Sequence, residues 1–543
     1  MPRRLHLSLP RVVSLVTLSI TLSILQTACD APAAVRVRAR FPRIVLVSID
    51  TLNLLYTNPY NPDADLTPHL EELASEGTLF ELAHTQVPQT LPSHTAILTG
   101  RSPLHTGVMI NGDRVPEEIP TWAELLRDRG WDTAGFISLG VLNRRFGIDR
   151  GFDTYDDRIH AVVNRWYLYA DEVVERAMPW VETHRDGPFF LWVHLSDPHA
   201  PYQPRDSPPD TELLLDGESL GSWTVADLTD HSISFDLPPG RHRLTWRSLR
   251  PRRPGDRHRT AIRVRIKNPD DLSPWAVAPP TPLNEGIILK YPWEVDLLNS
   301  GGTSTRLELQ FTGRLFNQSV DEAVEKYSRE VRYTDRYLGE LRRRFRELGL
   351  DEGTLWVVVS DHGEGLKRPG GHARMAFEVQ LRTMWLMAGP GIPAGRRIAG
   401  TPVLMEDVMP TVFDYLGLPV PEDLDGVSQR GCWTGDRCAP RSEWWAYGVD
   451  VDQEAVTAVA GYRWPFKASW HWKKRWGRRL HDLAADPWEW NNLVDRDDLP
   501  RPAAALLRRL DRQRGLLQRR LDGRRDGPSD ADDREMLKAL GYL

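Results

Sequence analysis

Cysteine is scarce: three residues in a chain of 543, which excludes a scaffold built on disulfides. Cys432 and Cys438 have no histidine or second cysteine pair beside them, so neither is placed like a ligand of a structural zinc ion. An excess of one charge is also missing. The 69 Lys and Arg against 75 Asp and Glu leave a formal charge of -6, and no basic footprint suggests nucleic acid as a partner. The apolar run from Val12 to Leu25 is too short and too rich in Ser and Thr for a membrane-spanning helix. Internal repeats and long low-complexity segments are absent. What is present is ordinary globular composition, 41% hydrophobic and 27% charged, in a chain long enough for two or three folding units. Tryptophan is plentiful, 20 residues with many after position 430. Such rings can stack on sugars, although packing is their commoner use.

Arg3, Arg4 and Arg11 precede that apolar run, and Leu25-Gln26-Thr27-Ala28-Cys29-Asp30 follows it. A basic start, a short apolar stretch and small residues before a cut site describe a secretory signal. Cys29 directly after Thr-Ala resembles a bacterial lipoprotein signal, although Gln26 stands where a Leu is usual. The expectation is an exported protein of the periplasm or cell envelope, anchored by a lipid on Cys29. Plain secretion and an uncleaved anchor are the alternatives. With Cys29 set aside, Cys432 and Cys438 make an even pair whose spacing permits a small disulfide loop in an oxidising compartment, the alternative being two free thiols.

Ile44–Ile49, Phe189–Leu195 and Thr354–Ser360 are continuous apolar, β-rich runs of the kind buried on both faces of a parallel sheet. Helical patterns lie between them. One runs from Leu66 to Gly77, with Thr67 as N-cap, Pro68 in the first position and Gly77 at the stop. Others run from Thr121 to Arg129, ended by Gly130, and from Asp321 to Leu348. The alternation predicts an α/β fold with a mainly parallel sheet between helices. Residues 205–316 break the rhythm with short alternating segments and Pro-Gly or Asp-Gly turns, which predicts an inserted antiparallel β-sandwich. Its role is open between carbohydrate binding, shielding of a site, pairing with a partner and plain structure. After residue 440, antiparallel strands run through the Trp-rich stretch to His481, and Arg501–Leu521 reads as a helix. The chain thus divides into a signal segment (1–29), a tether (30–42), an α/β piece (43–204), the insert (205–316), a second α/β piece (317–440) and a small C-terminal antiparallel subdomain with a helical tail (441–543).

Asp50 follows the first buried strand and Asp361-His362 the third. Ligands in open α/β sheets bind beyond the carboxyl ends of strands, and two carboxylates with an imidazole make a donor set for a hard-to-borderline metal ion. Taken singly, an Asp after a strand is as readily a helix cap. Thr90 stands at a loop–helix junction, where a hydroxyl near a divalent ion can serve as a nucleophile and helix amides can meet an anionic ester. Alone it would read as a capped helix.

A set of motifs then appears in one order: IVLVSIDTL, LTPHLEELASEGTLFELAHTQ, TLPSHTAILTGRSPLHTGV, GFDTYDD, FFLWVHLSDPHAPY, VRYTDRYLGEL, WVVVSDHGEGL, MAGPGIP, VLMEDVMPTVFDYLGLPVPEDLDGVS and LHDLAADPWEWNNL. They cover nearly all of residues 43–204 and 317–495. In this the chain resembles the sulfatase family of the alkaline phosphatase superfamily, which implies an alkaline-phosphatase-like catalytic domain split by the insert. The resemblance implies that Asp50, Asp361 and His362 are metal ligands with Thr90. It implies that His199 contacts substrate, that His372 contacts the ester or assists the leaving group, and that His94 stands in the place of an Arg. The expectation is that His94, His199 and His372 hold the ester oxygens or protonate the leaving group.

Departures refine what the resemblance implies. Thr51 follows Asp50 where sulfatases have a second Asp, and Phe136-Ile-Ser-Leu-Gly140 replaces a Lys/His segment. His362 takes the place of an Asn. Thr90 cannot become formylglycine, whose precursor is Cys or Ser. These features look more like members that attack phosphate esters with threonine, such as phosphoglycerol transferases and phosphodiesterases. The expectation is one divalent ion, with Mn or Zn suiting the donors better than Mg or Ca. A second ion on Asp197, His199 or His372 stays open. The substrate is a small-molecule or glycan ester. The alternatives are a true sulfatase and a non-catalytic, glycan-binding surface lipoprotein.

Overall fold

The computed structural model describes residues 43–159, 167–200, 202, 204–205, 209, 211–223, 232–249, 261–267, 275–277, 287–290, 293–299, 302–312, 320–367, 370–434, 438–452, 455–522 and 536–537. The signal segment, the tether and Cys29 lie outside the described residues. Among the described residues, no helix is long and apolar enough to cross a membrane.

A nine-stranded sheet organises the chain. Its strands are β1 (Arg43–Ile49), β2 (Gly77–His84), β3 (Asp132–Phe136), β4 (Thr154–Asp156), β5 (Phe189–Leu195), β6 (Thr354–Ser360), β7 (Arg382–Ala388), β8 (Arg396–Ile398) and β9 (Val403–Leu404). They run in the order β8-β2-β7-β6-β1-β5-β3-β4, with β9 also on β2. Pairing is parallel except where β7 meets β6 and β2. The expected α/β fold with a mainly parallel sheet is what the chain adopts.

The three runs read as doubly buried strands are β1, β5 and β6. β5 and β6 are buried at every residue and β1 at all but its first. Helices α1 (Pro68–Glu76), α2 (Thr90–Thr99), α3 (Trp122–Arg127), α4 (Ala170–His184), α5 (Val320–Glu347) and α6 (Val408–Leu416) cover the sheet. They form two groups, α1 and α4 against α5, and α3 and α6 against α2. Thr121 and Glu124 close a capping box that starts α3. Gly77 ends α1 in an extended conformation and starts β2 in the same residue. A Cβ there would lie 2.2 Å from the Met387 carbonyl oxygen of β7, so close backbone approach, not a left-handed cap, requires this glycine.

Two antiparallel sheets lie between β5 and α5. One pairs Ile287–Lys290, Ala261–Lys267, Thr305–Thr312 and Ser232–Leu237, and the other pairs Trp275–Val277, Trp293–Asn299, Gly240–Ser248, Thr211–Leu215 and Glu218–Trp223. Leu213, Leu244, Trp246 and Leu297 of the second sheet are buried, as are Phe235, Leu237, Leu307 and Leu309 of the first. Asn299 Nδ2 of the second sheet donates to the Leu237 carbonyl of the first at 3.0 Å. After the central sheet, Trp444–Asp450, Ala455–Arg463, Phe466–His471 and Arg478–Asp482 form an antiparallel meander, packed by α7 (Arg501–Asp522). Cys432 and Cys438 are joined in a disulfide.

Candidate metal and ester-hydrolysis site

The register of the parallel strands builds the site. Ile49 of β1 pairs with Ser360 of β6 and with Leu195 of β5, so Asp50 and Asp361 leave adjacent strands side by side. Thr51 then takes a φ of 55°, a left-handed conformation that is strained for a β-branched residue. This turn aims the Thr51 N–H at Asp361 Oδ1, 3.2 Å away. Tyr327 of α5 donates its hydroxyl to the Thr51 carbonyl at 2.8 Å and accepts the Asn53 N–H at 2.7 Å. Asn53 Nδ2 donates to the Glu364 carbonyl at 2.7 Å. The turns after β1 and β6 are thereby stitched into one platform.

Each candidate ligand has its other polar atoms occupied. Asp361 Oδ1 accepts the Thr51 N–H and also the His362 N–H at 2.7 Å, which leaves Oδ2. The Gly363 carbonyl, which only accepts, lies 3.2 Å from His362 Nδ1. The proton is therefore on Nδ1 and the lone pair on Nε2. Asp50 Oδ2 accepts the Thr90 hydroxyl at 3.1 Å, which leaves Oδ1. The three remaining atoms, Asp50 Oδ1, Asp361 Oδ2 and His362 Nε2, are buried with no hydrogen-bond partner among the described residues. His362 Nε2 lies 3.9 Å from Asp50 Oδ1 and 3.4 Å from Asp361 Oδ2, and one ligand atom from each residue fits within 4.8 Å. Leaving such atoms unpaired is costly, and a divalent cation resolves all three at once. Electrostatics agree. Burial, and then the charge of Asp50, push the Asp361 carboxyl well above its usual range. Asp50 stays low although burial opposes it, because the His194 N–H and neighbouring imidazoles favour its charge. Burial drives His362 down to about 3, so its imidazole is neutral. The donor set fits a divalent metal.

Thr90 opens α2, whose ten residues are all buried. The helix has no side-chain cap on Gln89. Asn111 Oδ1 instead accepts the Leu91 N–H at 2.8 Å, while Gln89 Oε1 accepts the Asn111 N–H at 3.0 Å. The Leu91 amide, one of the helix amides at this terminus, is thus already engaged.

His94 is in the cluster but differs from expectation. Its Nδ1 donates to the Thr90 carbonyl at 2.8 Å, and its Nε2 meets Ser48 Oγ at 2.9 Å. Ser48 Oγ accepts the Trp192 indole N–H at 2.9 Å, so its own hydroxyl donates to His94. Both ring nitrogens are committed, and burial drives the ring down to about 3. His94 fixes the first turn of α2 instead of offering a nitrogen to substrate. Asp197, one of three residues left open as ligands for a second ion, has both carboxylate oxygens engaged. Its Oδ1 accepts the first N–H of α4, from Ala170, at 3.0 Å, and its Oδ2 accepts the Thr334 hydroxyl at 3.1 Å. Burial raises it to about 7. It joins α4 to α5.

His199 and His372 do gather beside the metal donors. Their ring centroids are 5.1 Å apart, and that of His372 is 4.8 Å from His362. His199 Nδ1 donates to the Ala200 carbonyl at 2.6 Å, and burial lowers its pKa. His372 Nδ1 lies 2.8 Å from Glu364 Oε2; burial opposes its protonation, but Glu364 prevails and raises the pKa.

Two residues of the cluster escaped sequence reasoning. Glu364 was hidden in the motif that carries Asp361. His194 was hidden inside an apolar strand, where its signal was a polar residue one position before the strand end, in register with Ser48.

The sulfatase family profile matches residues 42–418. Arylsulfatase K of Homo sapiens is 23% identical over 412 residues, which are 72% of this chain and 66% of that one. The chain thus spans just under two thirds of the length of that relative. A solved structure in complex with its substrate D-glucosamine-2-N,6-O-disulfate shares the fold with a TM-score of 0.58 at 15% identity, over 90% of this chain and 100% of that one. The phosphonate monoester hydrolase of Agrobacterium radiobacter does so with a TM-score of 0.55 at 17% identity, over 88% of this chain and 96% of that one. From the extent of the profile match, on top of the motifs and the strand-end site, the chain belongs to the sulfatase family of hydrolases.

Proposed function

We propose that this chain is a metal-dependent hydrolase of sulfate or phosphate esters in which Thr90 is the nucleophile. The observation that carries the reading is the trio of buried, unpartnered ligand atoms on Asp50, Asp361 and His362 set beside the Thr90 hydroxyl. Proteins of this family use a divalent metal, and these three residues would hold it together with Thr90. Two carboxylates, an imidazole and a hydroxyl suit Mn or Zn better than Mg or Ca. When bound, the ion lowers the pKa of a nearby hydroxyl and neutralises charge on a nonbridging ester oxygen.

The chain's own residues supply the rest. Asp50 Oδ2 holds the Thr90 hydroxyl proton and so directs the oxygen lone pair outward. Thr90 Oγ1 attacks phosphorus or sulfur in line, passing its proton by way of Asp50 Oδ2 to water and forming one O–P or O–S bond as the bond to the leaving oxygen breaks. His372, whose protonated form Glu364 favours, gives its proton to that leaving oxygen, and His199 steadies the ester. Water or another acceptor then displaces the group from Thr90.

The threonine favours phosphate esters, including phosphodiesters and phosphoglycerol-type transfer. A formylglycine hydrate can expel sulfate by collapsing to the aldehyde, whereas a threonine ester must be displaced. The arylsulfatase relatives favour the second reading, a true sulfatase. Small-molecule or glycan esters are the substrates, and export with a lipid on Cys29 places the enzyme in the cell envelope. Mass spectrometry of the mature N-terminus tests that placement, because an unmodified Cys29 contradicts it. The function is tested by assaying aryl sulfate, phosphate monoester and phosphodiester side by side with Mn, Zn, Mg and Ca. The expected result is turnover of a phosphate ester that chelation abolishes. A clear preference for sulfate overturns the phosphate reading, and a chelator-resistant rate overturns the metal.

A further inference from the structure

We propose that His194 is a positioning residue that locks Asp50, holding Oδ2 so that Oδ1 alone faces the ion; this rests on the metal site proposed above. The ring's tautomer is set by Ser138. The Ser138 backbone N–H, which only donates, points at His194 Nδ1 from 3.3 Å. Nδ1 is therefore the acceptor, and the ring proton is on Nε2. Nε2 lies 3.4 Å from Asp50 Oδ2, beyond a formed hydrogen bond and with no hydrogen-bond partner among the described residues, so its N–H acts on that oxygen as a nearby dipole. A nitrogen that carries its proton cannot also be a metal ligand, which separates His194 from His362, whose lone pair is free.

The support around the ring is rigid. Ser138 Oγ is 2.9 Å from Nδ1 and 2.8 Å from Ser196 Oγ. The His94 ring stands edge-on at 4.9 Å between centroids. His194 sits on the central strand β5, opposite Ser48 of β1, and is fully buried.

Its role follows from what happens to Asp50 Oδ2 during reaction. In the resting site the Thr90 hydroxyl is bonded to this oxygen and the His194 N–H dipole stands beside it. The chemistry consumes the first, because Thr90 gives up its hydroxyl proton when it forms the ester. The second persists through the cycle. Without it, Asp50 is free to rotate and exchange its oxygens just when Thr90 no longer restrains it. Partners of this kind, behind metal ligands, hold ligand orientation and affinity.

The test compares His194→Gln, His194→Asn and His194→Leu with wild type by calorimetric titration of Mn(II) into metal-stripped protein, with circular dichroism to establish folding. The glutamine amide can reach the place of Nε2, whereas asparagine reaches only that of Nδ1 and leucine has no donor. Affinity near wild type is expected for Gln and a loss of about 10–100-fold for Asn and Leu. Should Leu fail to fold, Asn carries the comparison. Wild-type affinity in a folded Leu or Asn variant overturns the role of His194 while leaving the metal site intact. No Mn(II) binding by the wild type overturns both.

Discussion

Replacing Lys467 by Met tests how the C-terminal sheet holds the site. Lys467 is fully buried, and its Nζ lies 2.9 Å from Glu378 Oε1 and 2.9 Å from Glu489 Oε1. Glu378 also takes the Tyr462 hydroxyl at 2.7 Å and His84 Nε2 at 2.9 Å, while Glu489 Oε2 accepts the Glu378 N–H at 2.6 Å. Methionine keeps most of the volume and removes the cation that touches both carboxylates. Breaking a buried pair by deleting one partner costs about 3–5 kcal/mol, and the lower half of that range is expected because each Glu keeps another donor.

The pH dependence has a definite sign. Burial opposes ionisation of Glu378, but Lys467 and then His84 hold its pKa below the ordinary value. A depressed carboxylate contributes stability above its unfolded pKa, about 4.3, which is lost as pH falls through the folded value. In the variant that contribution is gone, and the facing carboxylates favour protonation. The gap between wild type and variant is therefore widest near neutrality and narrows below about pH 4. Urea unfolding followed by tryptophan emission at several pH values measures it. The damage should reach the site, because Glu378 opens the short helix Glu378–Leu381, in which the Gln380 carbonyl accepts the Gly363 N–H at 2.9 Å and its side chain holds the Gly371 carbonyl. A deficit under about 1 kcal/mol at neutral pH, the value of an exposed pair, refutes the reasoning, and so does one that does not change with pH.

Asp197→Ala removes the acceptor for the α4 start and for Thr334, and should cost about 1–2 kcal/mol in urea unfolding while Mn(II) affinity is kept; lost metal binding would return Asp197 to the ligand set. Thr51→Gly relieves the left-handed strain, and a gain of about 1 kcal/mol net of the added chain entropy is expected from thermal unfolding; a loss would mean the threonine hydroxyl, bonded to the Asp50 carbonyl at 2.8 Å, outweighs the strain.

The central fold was legible because β1, β5 and β6 are unbroken apolar runs, each followed at once by a polar site residue or its turn. The gathering of Asp50, Asp361 and His362 was legible for the same reason, since parallel register carries strand-end residues together. The antiparallel β7 was missed because RTMWLMA has the same apolar character whichever way the strand runs. The partners of His94 and Asp197 were illegible for another reason. Motif position brings a side chain to the neighbourhood, but Ser48, Trp192, Ala170 and Thr334 decide which atoms remain open, and they are distant in sequence. His194 was hidden because a buried polar residue in an apolar strand reads as part of the core until the backbone N–H that fixes its tautomer is known. Gly363 is similar: a Cβ there would lie 2.2 Å from the Val379 carbonyl oxygen, a contact that only the fold reveals.

The central claim is that Thr90 is the nucleophile beside the metal donors. It is tested most directly by acid-quenching the wild-type enzyme during turnover of a phosphate or sulfate ester and mapping its peptides by mass spectrometry. The account predicts a phosphoryl or sulfuryl group on the peptide that begins α2, localised to Thr90, and an inactive Thr90→Ala variant that carries none. A Thr90→Ala variant that turns over at the wild-type rate, with no adduct on the wild-type peptide, would contradict it.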